Sequence, residues 1–434
     1  MSRDRRRVAS DVSHKQPQVN ACVPRVDRTQ PAGIVSRRGF VAAAAAAASA
    51  TIVRPETARG YAANEKVALG LIGCGGRGVW IAELFAQHGG YEVVAGADYF
   101  ADRANNLVEK LKVDPQRCYT GLSGYRRLLE DKVDAVTIES PPYFHPEQAA
   151  AAVDAGKHVF VAKPVAVDVP GCLSIEASGK KATEKKLCFL VDFQTRADEF
   201  FREALKRVHQ GAIGKFAFGE ATYHAGLPFA GQVAVLKKGN DPESRLRAWG
   251  LDRVLSGDII TEQNIHTLDV ASWIMNQPPM AAWGTGGRKL REVGSCWDTF
   301  SITFVYPDNV GIAFSSRQFE GYGSQPEGIR NRMFGTDGVL ETSYGGQVLI
   351  RGKNFWRGGS SPAIYKQGAV TNIAEFHDNI KAGRCDNPTV PESVRSNLLT
   401  ILGRTAAYKG EVVTWERLLK DGEKLEFDLT GLKS

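Results

Sequence analysis

Apolar residues fall into two regimes along this chain. Early on they come in short unbroken runs: VALGLI over Val67 to Ile72, YEVVAGAD over Tyr91 to Asp98, VDAVTIE over Val133 to Glu139, and KHVFVA over Lys157 to Ala162. Runs of that kind suit strands buried on both faces, as in a parallel sheet. Between them lie VWIAELFAQHG, ADRANNLVEKL, LSGYRRLLED and PEQAAAAVDAG, which read as helices. Strands separated by helices of about ten residues predict a right-handed parallel α/β sheet. From about Asp192 the period shortens to two. KFAFGEATYHA, DTFSITFVYP, VGIAFSSRQF, RNRMFGTDGVLETS and QVLIRG read as strands joined by Gly, Asp and Asn turns. They predict one open, mostly antiparallel sheet in a second, α+β domain. Helices are expected in EFFREALKRVHQG, over Ile373 to Ala382, and over Ser393 to Tyr408, the last packing back on the first domain. The Pro- and Gly-rich stretch from Phe355 to Gly368 reads as a loop or partner surface.

The first apolar run ends in Gly73-x-Gly75-x-x-Gly78, and an acid, Asp98, stands 25 residues past Gly73. Gly73 permits a tight turn, Gly75 lets backbone approach a pyrophosphate, and Gly78 lets the following helix lie close to the strand. That helix aims free N–H groups and the positive end of its dipole at the phosphates. Asp98, ending the second strand, is placed to hold a ribose 2′-hydroxyl. Strand, glycine turn, helix and acid together predict a doubly wound, Rossmann-type dinucleotide-binding domain. A carboxylate at this position repels the 2′-phosphate of NADP, so NAD is the expected cofactor. Gly73, Gly75, Gly76, Arg77, Gly78 and Asp98 form its expected cradle. Ligands in such sheets sit at the carboxyl ends of strands. Ser140, Pro141 and His145 in one end loop and Lys163 in another are therefore further cofactor-side candidates.

Residues 1–63 read differently. Ser36-Arg37-Arg38-Gly39-Phe40 precedes an alanine-rich apolar stretch, Val41 to Val53, of 13 residues. That is too short to span a bilayer, and the paired arginines resemble a twin-arginine export signal. Cleavage is expected near Ala50 or near Ala63. These 63 residues carry 11 Lys/Arg against 4 Asp/Glu, which is the whole surplus of +7; the other 371 hold 44 of each sign. Net charge therefore offers no support for a nucleic-acid or anionic-membrane partner of the mature protein. Three segments follow: a leader over 1–63, a nucleotide-binding domain over 64–191, and a substrate and oligomerisation domain over 192–434. No stable membrane anchor is expected. The seven cysteines show no metal-ligand spacing and read as buried single thiols, Cys22 leaving with the leader.

GLIGCGGRG, the run from VDAVTIESPPYFH to GKHVFVAKP, and GDIITEQNIHTLD resemble the glucose–fructose oxidoreductase, inositol dehydrogenase and rhizopine-catabolism (Gfo/Idh/MocA) family. The resemblance implies NAD(P)-dependent hydride transfer at a carbinol carbon of a polyol, sugar or sugar derivative. It also implies a C-terminal domain that builds dimers or tetramers. The family's Glu-Lys-Pro motif places a lysine beside the nicotinamide; Lys163 matches it, while Ala162 replaces the glutamate and removes a ribose contact. Glu262, His266 and Asp269 stand at i, i+4 and i+7, one stripe of a helix. On the resemblance His266 is the general acid/base, Glu262 its orienting carboxylate, and Asp269 a substrate or structural contact. Arg196, Tyr223, His224 and Trp249 are further substrate candidates, whereas His158 reads as structural. Free nicotinamide cofactor is scarce outside the cytoplasm, so an exported member has to carry its cofactor and restore it in each cycle. That leaves open a glycosidase or lyase working by oxidation, elimination and reduction, and also a non-catalytic sugar-binding protein.

Changing Arg37 and Arg38 together to Lys is expected to stop export through the twin-arginine translocase. The exported, extracytoplasmic (periplasmic) form is expected to start between residues 51 and 65. N-terminal sequencing that returned Met1 or Ser2 would refute this.

Overall fold

The computed structural model describes residues 66–434. The paired arginines, the alanine run and both cleavage regions lie outside them. Six strands form the first sheet: β1 Val67–Ile72, β2 Tyr91–Asp98, β3 Cys118–Thr120, β4 Ala135–Ile138, β5 His158–Ala162 and β6 Phe189–Asp192. They run in the order β3-β2-β1-β4-β5-β6, every pair parallel. The winding direction reverses between β1 and β4, which opens a crevice at the strand ends. The apolar runs explain the burial: Val67, Leu69, Leu71 and Ile72 in β1 and Val159 to Val161 in β5 have almost no exposure. β3 and β6, and the helix Val169–Glu184, are elements that periodicity missed. β3 and β6 have only three and four residues, too few to display a period. The helix is started by Asp168, whose carboxylate accepts from the Gly171 N–H at 2.8 Å.

The second sheet has nine strands: β7 Phe216–Ala225, β8 Ala281–Gly287, β9 Thr299–Val305, β10 Gly311–Gln318, β11 Gly328–Gly335, β12 Gly338–Ser343, β13 Gln347–Gly352, β14 Trp356–Ser360 and β15 Val413–Thr414. Their order is β14-β13-β12-β11-β7-β10-β9-β8-β15. The β7–β10 pair is parallel and the others antiparallel. Alternation puts Phe300, Ile302, Phe304, Ile312 and Phe314 on one buried face. The stretch from Phe355 to Gly368 is not a loop, because it contains β14 and the start of the helix Ile364–Ala382.

Two helices carry the core beneath that face, Ile265–Met275 and Thr389–Lys409, and both are buried on nearly every side. The second joins the two sheets. Its Asn397 accepts from the Val165 N–H at 3.2 Å and donates to the Ala166 carbonyl at 2.9 Å, gripping the chain just past Lys163. Arg196, expected near substrate, is instead in a structural pair in this core with Asp269, which takes the structural one of its two expected roles. The guanidinium donates to both Asp269 oxygens at 2.9–3.0 Å, and Ser396 donates to Asp269 at 2.7 Å. Asp269 has no exposure at all. The six cysteines among the described residues are free thiols, but not all are solitary, since Cys188 and Cys385 bring their sulfurs to 3.3 Å.

Asp269→Ala breaks the buried pair and leaves the Arg196 guanidinium with Glu392 as its remaining carboxylate partner. Breaking such a pair costs about 3–5 kcal/mol, which a denaturant melt of the variant against the parent should register.

Candidate functional site

The crevice begins with the glycine turn. Gly73 has φ +94°, and a Cβ there would lie 2.4 Å from the Ser140 nitrogen. At Gly78 a Cβ would lie 1.8 Å from the Gly73 carbonyl oxygen, so the helix touches the turn and admits no side chain. Gly76 has open space around its Cβ position and is not demanded sterically. The helix Gly76–His88 starts here, and its first amides have no intrahelical acceptor. They are available for an anion. Asp98 closes β2 with its carboxylate fixed by two amides, Cys74 N–H at 2.8 Å and Phe100 N–H at 2.9 Å. Burial raises its pKa, opposed by those amides and by Arg103. Carboxylate oxygens accept more than one hydrogen bond each, which leaves capacity for a ribose hydroxyl. The cleft beside it has a cavity volume of about 60 Å³ and is lined by Gly73, Asp98, Phe100, Arg103, Ser140 and Leu246 among others. Pro141 lines it as well. Leu246 comes from the second domain, and nothing local in the sequence pointed to it.

His145 does not reach this cleft. It is 1 % exposed, with Nδ1 2.9 Å from the Pro164 carbonyl and Nε2 2.7 Å from the Ser140 carbonyl. Its ring ties together the two loops leaving β4 and β5, and burial lowers its pKa to about 4. It is a positioning residue for Ser140 and Lys163.

At the far side of the crevice Lys163 donates to the Glu262 carbonyl at 2.5 Å and to Glu262 Oε1 at 3.2 Å. Glu262 is therefore the partner of Lys163 and not the orienting acid of His266. The reason is a break in the helix. Ile259–Glu262 and Ile265–Met275 are separate, with Gln263 and Asn264 between them, so the expected single stripe does not exist. His266 Nδ1 is buried without a partner. The His266 ring lies 5.2 Å from that of Tyr344. Its pKa is held well below 6.5 by burial and by the positive charges of Lys163 and Arg77. Burial likewise lowers Lys163, with Glu262 opposing. Tyr223 donates to Gln263 at 2.7 Å and so buttresses this corner from β7.

Arg77 was expected in the cofactor cradle. The guanidinium instead turns under the crevice, 3.0 Å from Glu139 and 2.5 Å from Asp192, and donates to Tyr365 at 2.9 Å. Only its backbone N–H belongs to the cradle. His224 lies on the opposite sheet face from Tyr223, against Pro326 and Ser315, so it is not in the substrate cleft. Trp249 packs on Phe229 and with the cluster of Phe100 and Leu246, away from Lys163. The residues missed from sequence are Glu139, Asp192, Tyr344 and Tyr365. An acid ending a buried run was the one local signal, and Glu139 and Asp192 both carry it.

Among the described residues, buried polar atoms without partners occur in several places, and one group of them lies around this corner. They include Glu262 Oε2, His266 Nδ1, both amide atoms of Asn264, Thr195 Oγ1 and Tyr344 Oη. Buried polar groups ordinarily have partners, and those of Glu262, Asn264 and His266 have hydrogen-bonding capacity left for a polar ligand. The free helix amides, the Gly78 contact and Asp98 fit a dinucleotide.

Fold and cradle together define an NAD-binding, two-domain protein of the oxidoreductase type. Family models match on both sides of the crevice: "Oxidoreductase family, NAD-binding Rossmann fold" over residues 67–193 and "GFO/IDH/MocA C-terminal domain" over residues 201–341. The chain belongs to the Gfo/Idh/MocA family. It is 26% identical to myo-inositol 2-dehydrogenase of Thermotoga maritima, over 73% of this chain and 88% of that one. It is 32% identical to alpha-N-acetylgalactosaminidase of Shewanella oneidensis, but the match spans only 44% of each chain. In fold it is similar to scyllo-inositol dehydrogenase from Lactobacillus casei with bound NAD(H) and scyllo-inositol. The TM-score is 0.63 at 20% identity, covering 81% of this chain and all of that one.

Gly78→Ala is expected to abolish detectable NAD binding in a titration of the apo-protein, while Gly76→Ala stays within a few-fold of the parent, as their different surroundings require. Equal behaviour of the two would show that the helix does not need its close approach.

Proposed function

We propose that the protein oxidises or reduces a carbinol carbon of a polyol, sugar or sugar derivative, with Lys163 and His266 sharing the proton transfer. One observation carries the reading. Beside an NAD cradle, a lysine paired to Glu262 and a histidine with an unpartnered buried nitrogen lie among orphaned polar atoms. NAD, when bound, supplies the hydride acceptor or donor. Taking a hydride from a carbinol requires the hydroxyl proton to leave, so a base has to sit within hydrogen-bond reach of that oxygen. His266, kept neutral by burial and two nearby cations, is competent to accept it. Lys163, anchored at Glu262, is placed to donate to the oxygen as negative charge develops on it. Glu262 then acts as the positioning group for Lys163.

A second reading is favoured by the resemblance to a glycosidase and by the leader. A cofactor that stays bound and is restored each cycle supports net cleavage of a glycoside without net redox change. Turnover of glycosides with no NAD added separates the two readings. Export by the twin-arginine route, and assembly into a dimer or tetramer, rest on the leader and on the family resemblance respectively.

Lys163→Ala and His266→Ala should each lower turnover by about 10²–10⁴-fold, the range for a positioned acid/base group, with NAD affinity nearly unchanged. The double variant should lose far less than the product of the two. The acid limb of the rate profile should fall below about 6.5, the ordinary histidine value. A base with a depressed pKa stays unprotonated, and so active, to lower pH. Full turnover in either single variant on the true substrate would remove that residue from the mechanism.

A further inference from the structure

Three parallel strands end side by side beneath the crevice. Asp192, at the end of β6, is directly opposite Ala162 of β5. On the other side Ile138 of β4 is opposite Val161, so Glu139 follows next to Ala162. The methyl group of Ala162 leaves room between two acids, and both acid side chains are wholly buried. A single cation, Arg77, serves them both. Asp192 also accepts from Asn372 at 2.8 Å and from Gln194 at 2.9 Å, and Glu139 accepts from Thr137 at 3.3 Å. These neutral donors hold the carboxylates without cancelling their charge. Lys163, the neighbouring cation in the crevice, is already matched by Glu262. Once Glu139 is ionised, above about pH 7, the cluster of Arg77, Glu139 and Asp192 therefore carries one carboxylate in excess.

Its location decides what the excess acts on. Asp98 marks the adenosine end, beside β2. A dinucleotide crossing the switch point between β1 and β4 places its nicotinamide half over the ends of β4 to β6. We propose that the surplus carboxylate biases the site toward the oxidised nicotinamide, whose ring is positively charged, over the reduced, neutral ring. The pyrophosphate and the helix amides that receive it are common to both forms and drop out of the comparison. Buried charges interact through a lower dielectric than water, so one unit charge discriminates strongly at this depth. The inference rests on NAD binding at this cradle. It deepens the proposed function by making the hydride-accepting form the one the protein retains, so that oxidation opens the cycle.

The test is a calorimetric titration of the apo-protein with NAD⁺ and with NADH at pH 8. That pH is above the value of about 7 to which burial pushes Glu139 against the opposing pull of Arg77. The ratio Kd(NADH)/Kd(NAD⁺) is expected to drop on the order of tenfold in Asp192→Asn and in Glu139→Gln, with thermal melts confirming that each variant folds. If Asp192→Asn fails to fold, Glu139→Gln decides alone, since it keeps the shape of the side chain. Binding of both nucleotides with an unchanged ratio overturns this inference and leaves the proposed function standing. Failure of the parent protein to bind either nucleotide overturns both.

Discussion

Charge taken out of water has to be matched, and that requirement organises the crevice of this protein. Lys163, Glu139, Asp192 and Glu262 sit at strand or helix ends with little or no contact with solvent, and Arg77, with 27% of its side chain exposed, reaches in to two of them. A buried ion without a partner costs several kcal/mol, so each of these groups dictates the place of another. Arg77 stands in the helix that receives phosphate, yet its guanidinium is drawn down to two acids of the parallel sheet. Lys163 leaves the end of β5 and is captured by Glu262 of the second domain. The Lys163–Glu262 pair thereby ties the two domains together across the crevice.

The second domain supplies more than a cover. Asn397 on the long helix Thr389–Lys409 grips the backbone at Val165 and Ala166, immediately after Lys163. His145 fastens Pro164 from the other side. Lys163 is thus presented by a loop bonded at two neighbouring points, which is how a mobile side chain acquires a defined position. His266 reaches the same crevice from a helix buried on every side, and Tyr344 and Tyr223 arrive from opposite stretches of the second sheet. Groups from distant parts of the chain converge because the two sheets share the helices between them.

Much of this was legible in the residues. Uninterrupted apolar runs announced parallel strands, and the spacing from Gly73 to Asp98 announced a dinucleotide. Those signals are local: a strand buried on both faces tolerates few polar residues, and a helix touching a turn tolerates only glycine. The short strands β3 and β6 escaped because three or four residues contain no period. The stretch from Phe355 to Gly368 misled because Gly and Pro signal turns even where β14 and a helix start lie between them.

Sequence by itself determined the fold class and the cradle, since each depends on residue type at short, fixed spacing, while the candidacy of Lys163 and His266 came from the family resemblance. Tertiary structure decided the partnerships. Glu262 was expected to orient His266 because four residues separate them on an ideal helix. The helix breaks at Gln263 and Asn264, and Glu262 turns to Lys163, 99 positions earlier. Asp269, expected as a substrate or structural contact, is structural, with Arg196 at both its oxygens, and Arg77, expected in the cofactor cradle, gives its side chain to Glu139 and Asp192. Spacing along the chain says which groups are available. Which charge neutralises which is settled only where the folded chain excludes water, because there an unmatched charge can no longer be solvated.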